Sequence, residues 1–206
     1  FGQGISITPL QLTLAFGAVA NGGRLLEPYL VRQSGSGAGA KVHHPEPVER
    51  GRPLSPGTLA VVAELLAGVT LEGGTGKAAV VPGYPVAGKT GTAQKAEPGK
   101  GYLANEFVAS FAGYAPTAHP AIVAVVVIDD PRPVYHGGEV AAPVFAAIAQ
   151  QALLYLNVPP QRDRPERWPG EAEPPSEAET ESPENPLQQP RPEAGIVTAG
   201  LEAAEP

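Results

Sequence analysis

The sequence predicts an α+β fold. Two apolar stretches with helical period come first, two strand-like stretches follow with no helical pattern between them, and a third helical stretch closes the regular part. Helices and strands are thus grouped, which is the α+β arrangement and not an alternating βαβ one. Helix-start and helix-stop residues bound the first two helical stretches and support the assignment.

In "ITPLQLTLAFGAVANGG" Thr8 suits the N-cap and Pro9 the first helical position, and Gly22-Gly23 supply a left-handed stop. Leu10, Leu14 and Ala18 form an apolar stripe that Phe16 and Val19 widen. "SGSGAGA" (Ser34–Ala40) is a connector by composition. "LSPGTLAVVAELLAGVTLEGGTG" repeats the first device: Ser55 caps, Pro56 opens, and Leu59, Val62, Ala63 and Leu66 make a face. "GGTG" (Gly73–Gly76) is expected to end it.

The period then changes from helical to twofold. "EFVASFAGYAP" (Glu106–Pro116) sets Phe107, Ala109, Phe111 and Gly113 on one side and reads as a strand. "AIVAVVVIDD" (Ala121–Asp130) is β-branched and continuous, so it is expected as a strand buried on both faces. In "HGGEVAAPVFAAIAQQALLYLN" Pro143 is tolerable only in a first turn. From there Val144, Ile148, Ala152 and Tyr155, flanked by Phe145, Ala149 and Leu156, are expected as the apolar helix face.

From about Val158 the composition shifts to Pro, Glu, Ser, Gln and Arg. Isolated apolar residues such as Trp168 cannot offset the chain entropy of ordering, so 158–206 is expected as a disordered acidic tail. A segment that orders on a partner is the alternative. This tail also explains the net charge of −7: residues 1–160 carry ten acidic and ten basic side chains, and the remainder carries eleven acidic and four basic. The balanced body offers no nucleic-acid surface. With no Cys, disulfides and Cys-based metal sites are excluded. No apolar run reaches the roughly 18–20 residues of a membrane span. Because Met is absent as well, the chain is expected to be the C-terminal piece of something longer, with any anchor upstream.

"GYPVAGKTGTAQK" (Gly83–Lys95) fits two motifs. Gly83–Thr90 satisfies the phosphate-binding pattern G-x-x-x-x-G-K-[ST]. "IVAVVVIDD", about forty residues on, looks like the carboxylate-tipped strand that holds Mg²⁺ in such enzymes. A phosphate site, however, needs a helix that opens at the Lys, since its N-terminal N–H groups bind the anion. The residues after Thr90, "GTAQKAEPGKG", contain Gly, Pro and no apolar stripe. A strand and turn fit them better, and "GGTGKAA" is a weaker match still. The second motif is Lys89-Thr90-Gly91, found in penicillin-binding proteins and serine β-lactamases.

As a strand, "VAGKTGTAQ" suits peptide acyl transfer. Glycines in a strand mark close approach by ligand or backbone. An edge strand can pair with an extended substrate, and one of its N–H groups can stabilise an oxyanion. Lys89 supplies positive field, and the Thr90 and Thr92 hydroxyls can grip a carboxylate. A triplet alone is weak evidence; the flanks add to it. "FGQGISITPLQLTLAFGAVANGG", "VAGKTGTAQK", "FVASFAGYAPTAHPAIVAVVVIDDP" and "HGGEVAAPVFAAIAQQALLYL", in this order and spacing, resemble the C-terminal half of the transpeptidase domain of class B penicillin-binding proteins, the division-specific (septal) members above all. The resemblance covers residues 1 to about 159. Class A relatives typically continue the motif with Thr-Asn-Asp, whereas Ala93-Gln94-Lys95 stand here.

The resemblance implies an antiparallel sheet flanked by helices, as a partial domain over 1–157. It implies that Lys89 is the third-motif lysine, that Thr90, Gly91 and Thr92 bind the carboxylate end of substrate or β-lactam, and that the Thr92 N–H is half of the oxyanion hole. No cofactor or metal is implied. The implied partners are peptidoglycan stem peptides, β-lactams, the N-terminal part of the same protein and membrane division proteins. The implied place is the extracytoplasmic face of the inner membrane. The departure is large: no Ser here has Lys three residues on, and no Ser-x-Asn occurs. Without a nucleophile no acyl-enzyme forms, so this stretch alone is expected to be inert. A β-lactam sensor of the same fold and, remotely, the nucleotide enzyme are the rival readings. His43-His44 is expected to be a solvated pair, His136 a turn residue at the cleft rim, Tyr102 and Tyr114 packing or rim residues, Glu139 the start of the last helix, and Arg132 a surface charge.

Overall fold

The computed structural model describes residues 4–30 and 46–161. The Ser34–Ala40 connector, His43-His44 and the tail beyond Gln161 lie outside them.

Helix α1 (Pro9–Ala20) begins as the sequence dictates. Thr8 Oγ1 accepts from the Gln11 N–H at 3.2 Å, and Gln11 Oε1 accepts from the Thr8 N–H at 2.9 Å, a reciprocal capping box. It stops where Gly22 and Gly23 take positive φ. The expected stripe is shifted: Leu10 is exposed, Ala18 is buried, and Phe16, Val19 and Ala20 pack inward. Strands β1 (Leu25–Leu26) and β2 (Glu49–Gly51) form a small antiparallel pair. Arg24 and Arg52 both reach Glu49, at 2.7 and 3.1 Å. The Arg24 hydrogen bond holds the Glu49 carboxyl below its ordinary 4.5.

Helix α2 (Pro56–Gly68) is capped by Ser55, whose Oγ accepts from the Thr58 N–H at 3.2 Å. The helix ends at Gly68, ahead of the expected stop at Gly73–Gly76. Its terminus is set by a side chain: Thr70 Oγ1 shares its hydrogen between Ala67 O (3.1 Å) and Val86 O (2.6 Å). This buried hydroxyl ties the end of α2 to the entry of the next strand, and an unpaired polar atom there would be costly. A turn of 3-10 helix over Lys77–Ala79 follows.

Strands β3 (Ala87–Glu97), β4 (Gly101–Ala115) and β5 (Ile122–Asp129) form an antiparallel sheet in the order β3-β4-β5. The twofold side-chain alternation sorts them between two cores. Phe111 and Ala115, with Ile122, Ala124, Val126 and Ile128 of β5, face helix α4 (Ala142–Tyr155), which a short α3 (Gly137–Val140) precedes. Ala87 and Tyr114 face the opposite side with Ala67, Phe16 and Val19. Burial there pushes the Tyr114 phenol up.

Two further expectations about burial fail. β5 is half-buried, not buried on both faces, and Val127 keeps 44% of its surface exposed. The strand lies at one edge of this sheet and its helical covers reach only part of it. On α4 the buried residues are Ala142, Phe145, Ala149 and Leu153. Val144, Ile148 and Tyr155, expected inward, point out, and Tyr155 is 85% exposed. The helix is apolar around most of its circumference, so periodicity alone does not select its buried face. Beyond α4 the Tyr84 hydroxyl donates to Val158 O at 2.8 Å, and the Gln161 N–H donates to Gly83 O at 2.7 Å. The chain therefore stays on the body past the change of composition at Val158.

Candidate functional site

Strand β3 carries Lys89, Thr90, Gly91 and Thr92 at the edge of the sheet opposite β5. An edge strand leaves alternate backbone N–H and C=O groups outside the ladder. Its position is set by close approach. A Cβ on Gly88 would lie 2.5 Å from Phe111 Cζ and 2.7 Å from Ala112 O, and a Cβ on Gly91 would strike Ser110 Oγ. At Gly88 only glycine lets the strand sit this deep. Phe111 in turn is fully buried and rests against Phe145, ring centroids 4.8 Å apart.

The predicted residues are brought together on this edge. Lys89 Nζ donates to Thr90 O at 2.9 Å and stands 3.5 Å from Thr90 Oγ1. Thr90 and Thr92, two apart, share a face. Thr92 Oγ1 accepts the Gly137 N–H at 3.1 Å, so its own hydrogen is left for another acceptor. Thr90 Oγ1 lies 2.9 Å from Thr75 Oγ1.

Three contributors are not singled out by sequence patterns. Thr75 lies in the Gly-rich stretch that reads as a helix stop. Gly137 and Gly138 read as a turn, yet they seat α3 directly on β3. A Cβ on Gly137 would strike Gly91 O and Ser110 O, and one on Gly138 would strike Thr75 O. The only sequence signal was the presence of paired glycines, which does not say what they approach.

The same strand continues away from the site as a hairpin. There Lys95 Nζ meets Asp129 at 3.0 Å and Glu106 at 3.9 Å, and the Asp129 hydrogen bond raises the lysine above its ordinary 10.5. Tyr135 stacks on Phe107, centroids 4.1 Å apart, and leans on His136. His136 is the N-cap residue of α3. Arg132 pairs with Asp130 and is a surface charge. Tyr102 is exposed and Tyr114 is in the core. Glu139 belongs to the separate α3, not to the start of the last helix.

No helix opens at Lys89. Residues 87–97 are strand, so the phosphate-binding pattern of Gly83–Thr90 has none of the N-terminal amides that such a site needs. The carboxylates of the supposed Mg²⁺ strand are paired with Lys95 and Arg132.

An antiparallel sheet with an edge Lys-Thr-Gly-Thr strand is thus packed through glycines against a short helix and flanked by longer ones. The family model "Penicillin binding protein transpeptidase domain" matches residues 1–150. The chain is 40% identical over 169 residues to stage V sporulation protein D of Bacillus subtilis, covering 81% of this chain and 26% of that one. It is 38% identical over 161 residues to the peptidoglycan D,D-transpeptidase FtsI of Escherichia coli, covering 78% and 25%. Among solved structures, penicillin-binding protein 3 of Mycobacterium tuberculosis in complex with ampicillin aligns with TM-score 0.69 and 34% identity, covering 82% of this chain and 39% of that one. The transpeptidase domain of Burkholderia pseudomallei penicillin-binding protein 3 aligns with TM-score 0.66 and 38% identity, over 79% and 46%. The chain belongs to the penicillin-binding protein transpeptidase-domain family, in its class B branch. It spans about a quarter of the length of the two relatives named first.

Proposed function

We propose that this chain is the C-terminal part of a peptidoglycan D,D-transpeptidase, which cross-links stem peptides by serine acyl transfer and is acylated by β-lactams. The observation that carries the reading is the Lys89–Thr92 edge, with the Thr92 oxygen already engaged as acceptor by Gly137. A carboxylate accepts hydrogen bonds and cannot donate them. The free Thr92 hydrogen and the Lys89 charge therefore suit the carboxylate that stem peptides and β-lactams present. Thr90 and Gly91 complete that grip, and the Thr92 N–H serves as one oxyanion donor. Lys89 tunes the field around the nucleophile.

The nucleophile itself belongs to a Ser-x-x-Lys, and its partner to a Ser-x-Asn, neither of which occurs in these 206 residues. We place both upstream in the same protein, together with the membrane anchor that holds the domain on the extracytoplasmic face. Among the described residues no helix is long and apolar enough to cross a membrane. Division and wall-synthesis proteins of the membrane are the expected partners.

The test is labelling with a fluorescent penicillin. The full-length protein should carry one adduct, on a serine outside these 206 residues, and the isolated chain should remain unlabelled. An adduct on any residue of this chain, or none on the full-length protein, would overturn the reading.

A further inference from the structure

We propose that Thr75 is a positioning residue for the carboxylate-binding edge: it holds Thr90 as a hydrogen-bond donor toward the ligand. The inference rests on the transpeptidase reading above and adds a residue to it from a different part of the chain. Thr75 Oγ1 lies 2.9 Å from Thr90 Oγ1, and either oxygen can be the donor. A carboxylate resolves that choice. It can only accept, so Thr90 must give its hydrogen to the ligand, and Thr75 must then donate to Thr90. Lys89 Nζ, 3.5 Å from the same oxygen, favours the same polarity. Thr75 does for Thr90 what the Gly137 N–H does for Thr92: it fills the acceptor side of the hydroxyl and aims its hydrogen outward.

The backbone around Thr75 is held for such a task. The loop between α2 and β3 is closed by Gly74 N–H to Leu71 O and Gly76 N–H to Val69 O, both at 2.9 Å. A Cβ on Gly76 would lie 2.9 Å from Phe111 Cε2, and one on Gly138 would strike Thr75 O. The loop is thus wedged between the core and α3, on either side of Thr75. The side chain itself is exposed, so losing its hydroxyl leaves no buried group unpaired and costs the fold little.

The experiment uses the full-length protein and a penicillin that carries a carboxylate, with rapid kinetics that separate the Kd of the non-covalent complex from the acylation rate constant. For Thr75→Val, one lost hydrogen bond should weaken Kd by about three- to tenfold, with the acylation rate constant and the melting temperature unchanged. Thr75→Ser should restore Kd. In a Thr90→Val background Thr75→Val should have no further effect, because its only route is through Thr90. The inference is overturned if Thr75→Val binds like the wild type, if Thr75→Ser is as weak as Thr75→Val, or if the two effects multiply in the double variant. A wild-type protein that penicillin does not acylate overturns the transpeptidase reading and this inference with it. Normal acylation with a silent Thr75→Val overturns this inference alone.

Discussion

The two halves of strand β3 are held by different physics. From Ala87 to Thr92 the strand is wedged: Gly88 lies against Phe111, Gly91 against Ser110, and α3 is seated on the outside through Gly137. From Gln94 onward the register with β4 shifts, the chain turns at Gly99 and Gly101 with positive φ, and the side-chain contacts are surface ion pairs beside the Phe107–Tyr135 stack. The candidate site occupies the wedged half alone. Glycine backbone packed against a buried ring and against neighbouring backbone has few alternatives and holds the Lys89–Thr92 edge to one geometry, as a binding edge requires. A screened ion pair on a hairpin fixes much less.

Breaking the wedge should have the largest effect. Phe111→Ala removes the ring on which Gly88, Gly76 and Gly113 are packed. By the usual cost of deleting a buried Phe it should lower stability by about 3–5 kcal/mol. The midpoint of denaturant unfolding in the full-length protein measures this. Gly137→Ala comes next. Its Cβ has no room between Gly91 O and Ser110 O, so α3 must lift. Overpacking of this kind costs about 1–3 kcal/mol, and penicillin labelling should fall further than the stability loss explains, because the Thr92 hydroxyl loses its partner. Normal labelling with normal stability in this variant would remove α3 from the account of the site.

The hairpin half supplies the smallest effects. Lys95→Gln should leave penicillin binding unchanged and should shift the unfolding midpoint only at low ionic strength. The pH dependence sharpens the contrast. The folded-state value of Lys95 is raised, so its pairing contributes fully below the ordinary 10.5 and is lost as pH rises through the higher folded value. Wild type and Lys95→Gln should therefore converge in alkaline unfolding curves. A difference that grows with pH would reverse the assigned sign.

Local chemistry was legible in the sequence to different depths. The starts of α1 and α2 follow from Thr8-Pro9 and Ser55-Pro56, because a cap is satisfied within three residues. The strand character of Lys89–Lys95 follows from residues that cannot sustain a helix. The end of α2 was not legible, because Thr70 sets it through Val86, sixteen residues away. The buried face of α4 was not legible either. Val144 and Ile148 are as apolar as the residues that pack, and only contact with β4, β5 and the stretch around Ala79, Val81 and Tyr84 selects Phe145, Ala149 and Leu153.

What the sequence by itself determined is local: the capped starts of α1 and α2, the strand character of β4 and β5, the final helix, and a strand that carries the candidate edge Lys89–Thr92, since these depend on composition and spacing within a few residues. Only the tertiary structure decided which groups aim that edge. Thr75, Gly137 and Gly138 lie fifteen to forty-eight residues from Thr90 along the chain, and they meet it because the missing side chains of glycines allow three backbones to touch. Spacing in a sequence carries no record of such contacts; the distance between atoms does.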